Sequence, residues 1–158
     1  FAENARIKAS AYLRLSGMLT LAEDSGLEVD ALGGRPGVLS ARFAGEGATD
    51  RQNVALLLEK LNDIGDSPWD ARFRAVVAIA SPKGDVELHE GEVRGRIVNP
   101  PRGSNGFGYD PVFMPEGMSV TTAQLPPREK DRISHRGVAA RKAIEDLCQI
   151  ARDRMQPA

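Results

Sequence analysis

Ala71-Arg72-Phe73-Arg74-Ala75-Val76-Val77-Ala78-Ile79-Ala80-Ser81-Pro82-Lys83-Gly84-Asp85-Val86-Glu87-Leu88 decides the fold. Phe73, Ala75, Val77 and Ile79 recur with a period of two, the spacing that puts alternate side chains on one face of a strand. Pro82-Lys83-Gly84-Asp85 supplies turn residues, and Val86-Glu87-Leu88 resumes the extended pattern, so the stretch reads as a hairpin with one better-buried face. Downstream, Val93 and Ile97 punctuate charges between Gly91 and Val98 and predict a further strand. Upstream, Met18-Leu19-Thr20-Leu21-Ala22 and Leu27-Glu28-Val29-Asp30-Ala31-Leu32 read as two strands joined by an acidic turn, Glu23-Asp24-Ser25-Gly26.

Helical spacing appears on both sides of this β-rich centre. Ala5, Ala9, Tyr12 and Leu13 share a face in a first helix that Gly17 ends. Thr49-Asp50 opens a second helix carrying Val54, Leu57, Leu58 and Leu61. Gly137 to Met155 forms a terminal helix with Ala140, Ile144, Leu147, Cys148 and Ala151 on one face. Helices around central strands predict an α/β domain, elongated, with a mixed β-sheet flanked by helices, and residues 1–158 read as one domain. Because Phe1 is followed at once by a helical pattern, the sequence is expected to be N-terminally incomplete.

The 21 basic and 22 acidic residues leave a net charge of −1, so no global field holds the chain to nucleic acid or to a membrane surface. No stretch reaches the ~20 apolar residues needed to span a bilayer. Cys148 has no partner for an intramolecular disulfide and reads as a small buried hydrophobe. These features predict a cytoplasmic protein.

Four clusters can carry chemistry. Glu23 and Asp24 follow an apolar strand, where adjacent carboxylates can hold a hard divalent cation or activate a water, although the same residues also suit an ordinary acidic turn. Gly33-Gly34-Arg35-Pro36-Gly37 with Ser40-Ala41-Arg42 can shape a site wall or serve as a surface loop. Gly103-Ser104-Asn105-Gly106-Phe107-Gly108-Tyr109-Asp110 places aromatic rings on a sharply bending backbone, as a base-stacking loop or as core residues in a turn. Lys130, Ser134, His135 and Arg136 precede the terminal helix, where they can meet an anion or form a solvated charge run with a cap. His89 reads as a surface residue, and with two histidines and one cysteine a His/Cys zinc site is not expected.

Taken together, Ala22-Glu23-Asp24-Ser25-Gly26-Leu27, Leu32-Gly33-Gly34-Arg35-Pro36-Gly37-Val38, Gly106-Phe107-Gly108-Tyr109-Asp110-Pro111, Glu129-Lys130 and Ser134-His135-Arg136 resemble the noncanonical purine nucleoside triphosphate pyrophosphatases, also called inosine triphosphate pyrophosphatases. The resemblance runs through essentially the whole chain. It implies an ITPase-like, anticodon-binding-like architecture with a ligand cleft, a homodimer, and Mg2+-dependent hydrolysis of ITP, dITP and XTP to the monophosphate and pyrophosphate. By position, Asp24 resembles the family's general base and metal-associated carboxylate, and Ser25 a substrate contact. Phe107, Gly108, Tyr109 and Asp110 look like the base-binding loop, with Phe107 as the stacking ring. Lys130, His135 and Arg136 look like residues that hold the nucleotide and read its base. On this likeness, Asp24 and Phe107 are expected to face each other across one crevice.

Family members begin with a strand, a Thr/Ser-x-Asn-x-x-Lys phosphate loop and another metal-associated Glu, none of which is visible here. The alternative expectation is therefore a nucleotide-binding dimer subunit with little catalysis.

Overall fold

The computed structural model describes residues 1–66 and 68–155. The predicted hairpin is its centre: β3, Trp69–Ala80, pairs along its whole length with β4, Val86–Ile97. On the other side of β3 lies β1, Thr20–Val29, whose end also pairs with the two-residue β2, Arg35–Pro36. A short β5, Phe113–Pro115, closes the order β2-β1-β3-β4-β5. The expected α/β layering is present, but every ladder among the described residues is antiparallel, where a mixed sheet was expected.

Two local expectations yield to this ladder. Glu23-Asp24-Ser25-Gly26 is not a turn but the middle of one ten-residue strand, because each of these residues is paired with β3, from Glu23↔Val77 to Gly26↔Arg74. The strands expected at Val86–Leu88 and Gly91–Val98 are likewise one strand. Continuous pairing outweighs the low strand propensity of Asp, Ser and Gly, which is context-dependent.

Helices cover both faces. α1, Ala2–Ser16, packs Ala5 and Ala9 onto Val76, Ala78 and Ala80, and ends on Gly17, whose φ of 66° lets its N–H reach the Leu13 carbonyl. Tyr12, expected on that buried face, is exposed. α2, Asp50–Asn62, starts with a capping box in which Thr49 and Gln52 satisfy each other's backbone N–H groups. It buries Val54, Leu57 and Leu61 in the main core with Leu27, Val29, Trp69, Ile97 and Phe113. α3, Pro127–Ile133, begins with proline in its first turn and was not foreseen as a helix.

α4, His135–Met155, lays Ala139 and Ala143 on Ala75, Val77 and Ile79. Its buried stripe is thus one residue out of phase with the expected face. Ala140, Ile144 and Cys148 are exposed, and the Ala151 side chain lies outside the described residues. Of the expected face Leu147 does pack against this cluster, with Ile150, while at the start of the helix the close approach of its backbone to Gly91 selects the small Ala139 as the buried residue. His89, expected at the surface, lies mostly buried under α4, its Nε2 3.2 Å from Asp146 Oδ2. No described helix is long and apolar enough to cross a membrane.

Candidate active site

Strand alternation sends consecutive residues of β1 to opposite faces of the sheet. Ser25 points to the α4 side, where its hydroxyl accepts from Arg136 Nη2 at 3.0 Å, and Glu23 takes Arg136 Nε at 3.1 Å. Asp24 points to the α1 side instead. Its Oδ1 lies 2.6 Å from Lys8 Nζ and its Oδ2 accepts from Asn4 Nδ2 at 3.1 Å. The pair of adjacent carboxylates expected from the sequence therefore does not converge.

On the α4 side a cleft of about 210 Å³ opens between the start of α2 and the α3–α4 junction. Its lining includes Ser25, Phe107, Gly108, Tyr109, Asp110, Lys130, His135 and Arg136, eight residues singled out from the sequence, but not Asp24. The expectation that Asp24 and Phe107 face each other across one crevice is not met, because Asp24 occupies the other face of β1. Ser40 and Ala41 form part of the wall. Ser40 also stitches the segment to β1, with its hydroxyl accepting from Leu27 N at 2.9 Å and donating to the Gly37 carbonyl at 2.6 Å.

The aromatic loop separates its two rings. Phe107 is 57% exposed, with Lys130 Nζ 4.5 Å and Arg136 Cζ 5.0 Å from its ring centroid. Tyr109 is buried in the core and donates its hydroxyl to the Ser40 carbonyl at 2.9 Å; burial and, secondarily, Asp50 push its phenol well above the ordinary range. Asp110 is also buried, and accepts from Phe107 N at 2.8 Å, from Thr122 Oγ1 at 2.9 Å and from Lys130 through an ion pair. Gly106, at φ 79°, is required here, because a Cβ would collide with the Asp110 carboxylate. Asp110 thus organises the loop from beneath, while the Phe107 ring stays largely exposed at the cleft with both cations close to it.

His135, the first residue of α4, stacks on Phe73 with centroids 4.7 Å apart and planes 8° from parallel. Desolvation, reinforced by Arg136 and Lys130, lowers its pKa to about 3, so the imidazole is neutral near pH 7 and can both donate and accept. An unfolded histidine takes up a proton below its ordinary 6.5, which the folded one refuses until about 3. The unfolded state thus binds more protons in that window, and stability is complete above it and lost as pH falls through it. We expect the urea midpoint to drop between pH 7.5 and 5 by the equivalent of about 1–2 kcal/mol, and His135→Gln to flatten that slope.

Sequence reasoning missed Lys8 and Asn4, which hold Asp24, and Asp50, whose carboxylate bonds the loop at Gly108 N. Asp50 had a visible signal, the polar start of a helix, but nothing in its spacing pointed to a loop 58 residues away.

A family model described as the Ham1 family matches residues 1–146. The chain belongs to the Ham1 family. It is 49% identical over 153 residues to a protein named dITP/XTP pyrophosphatase from Streptomyces avermitilis, covering 97% of this chain and 74% of that protein. A protein of the same name from Desulforamulus reducens is 50% identical over 150 residues, covering 95% of this chain and 75% of its own length. Among solved structures, a HAM1 protein from Coxiella burnetii superposes with a TM-score of 0.89 at 41% identity, over 94% of this chain and 77% of that one. The Ham1 protein of Staphylococcus aureus gives 0.87 at 40% identity, over 93% and 76%.

Proposed function

We propose that this Ham1-family chain hydrolyses noncanonical purine nucleoside triphosphates, dITP, ITP and XTP, to the monophosphate and pyrophosphate. The observation that carries the reading is the exposed Phe107 ring between Lys130 and Arg136, in a chain about half identical to dITP/XTP pyrophosphatases over nearly its whole length. A purine stacks on that ring, an interaction worth about 1–3 kcal/mol for any base. Selection comes from the edge: a 6-oxo purine accepts hydrogen bonds from Lys130, Arg136 and neutral His135, whereas the adenine amino group presents a donor to donors. Ser25 and Arg136 lie towards β1, where the phosphates would run. The family likeness alone assigns to Asp24, the residue before Ser25 and on the other face of β1, the proton taken from the attacking water at the α-phosphorus.

The donor chemistry fits Mg2+. That ion is commonly held by one or two carboxylates together with substrate phosphates, and Asp24 offers one carboxylate, whose oxygens hold Lys8 and Asn4 and would exchange those partners for the ion. Bound there, Mg2+ would neutralise triphosphate charge. The ligand cluster visible among the described residues, Glu87, His89 and Asp146, contains no residue of the cleft. The proposal extends to a cytoplasmic homodimer, on the family likeness alone.

A second reading, purine nucleotide binding with little turnover, is favoured by the placement of the Asp24 carboxylate away from the cleft. Pyrophosphate release from dITP and dATP in the presence of Mg2+ separates the two. The expected result is a preference for dITP of about 100-fold, the ~2.7 kcal/mol that one or two unpaired buried donors cost. Calorimetric binding of ITP without pyrophosphate release would instead establish the second reading.

A further inference from the structure

We propose that Asp50 is a positioning residue that holds the Phe107 platform in register with the cations above it. This deepens the functional reading just given and rests on it. The loop needs an external tether. Gly106 and Gly108 both have positive φ, 79° and 61°, so side-chain sterics do little to confine the backbone around Phe107. Phe107 itself, half in solvent, is not anchored by burial. Its own amide is held from within the loop by Asp110, and the Asp110 amide returns to the Phe107 carbonyl at 3.3 Å. The bond that ties the exposed Phe107–Gly108 part of this unit to the start of α2 is Gly108 N–H to Asp50 Oδ2, at 2.6 Å. It is a short, charge-assisted bond, the stronger kind.

The anchor is rigid. Asp50 is the first residue of α2, within the Thr49–Gln52 capping box, and α2 is fixed by fully buried Leu57 and Leu61. Tyr109, the next residue of the loop, is strutted to the Ser40 carbonyl on the same wall. Losing the Asp50 bond leaves that buried strut in place and frees the exposed Phe107–Gly108 segment. The ring then samples positions out of line with Arg136 and Lys130. Base recognition suffers first, because Arg136 keeps its bonds to Glu23 and Ser25 on β1.

An acidic residue in the first turn also favours a helix through its dipole, so a purely structural role must be separated. Three variants do so. Asp50→Ala removes the acceptor. Asp50→Asn keeps an acceptor oxygen of the same shape. Thr49→Ala weakens the start of α2 without touching Gly108. In the ligand-free protein, Asp50→Ala is expected to speed amide hydrogen exchange at Gly108, and Thr49→Ala to leave it unchanged. With dITP, Asp50→Ala should raise KM about tenfold, change kcat less than about threefold and reduce the preference for dITP over dATP. Asp50→Asn should restore most of the KM. Unchanged exchange at Gly108 in Asp50→Ala overturns the tether, as does a KM shift that Thr49→Ala reproduces. Wild-type protein that turns over dITP no faster than dATP refutes the functional reading instead, and the exchange experiment then still decides the tether.

Discussion

Asp24→Asn is expected to lower kcat for dITP about 10³-fold, within the range that a positioned general base contributes, while KM changes less than about threefold. The reasoning is local. Asparagine matches the shape of aspartate and keeps an oxygen that can accept from Lys8, but it cannot take a proton from water. The Lys8–Asp24 pair is half exposed on the lysine side, so its loss should change stability by about 1 kcal/mol or less. Steady-state pyrophosphate release, with ITP binding measured by calorimetry on the same preparation, checks the prediction. Retained binding with lost turnover identifies a catalytic carboxylate. Retained turnover would show that the proton goes elsewhere, and that the contacts of Asp24 with α1 are its whole role.

Gly91→Ala is expected to cost about 3–5 kcal/mol of stability, at the severe end of what overpacking does. Gly91 lies on β4 opposite Ala75, and the two small residues form the trough that receives the start of α4. A Cβ at Gly91 would stand 2.5 Å from Ala139 N and closer still to the His135 carbonyl, both backbone atoms with no rotamer to yield. The helix start must lift, carrying His135 and Arg136 out of the cleft. Urea denaturation reads the loss, and a weakened dITP preference in whatever folds reads the displacement. Gly117→Ala supplies the contrast. Its φ is 77° and nothing lies within 4 Å of the added methyl, so only the left-handed backbone penalty of about 1–2 kcal/mol applies.

Much of the architecture was legible in the chain. The β3–β4 hairpin, α1 with its glycine cap and α2 with its polar start follow from short-range periodicity and turn chemistry, which depend only on neighbouring residues. The cleft was legible too, since eight of the nine residues chosen by motif line it. Three things were misread for one reason. The acidic stretch of β1, the phase of the α4 stripe and the direction of Asp24 are each set by a partner element, β3 or the sheet face, that local hydropathy does not contain. A strand that reads Glu-Asp-Ser-Gly looks like a turn until its neighbour supplies an unbroken ladder.

Residue order alone therefore determined which groups this protein has available: a glycine-held aromatic, a cluster of cations before a helix, a carboxylate on a strand. These belong to motifs whose spacing is covalent. Only the tertiary structure decided which of them meet. Side-chain direction on a strand alternates with every residue, so Ser25 joins Arg136 in the cleft while Asp24 turns to Lys8 on the opposite face. Contacts such as Asp50 with Gly108 close over distances along the chain that no local pattern encodes.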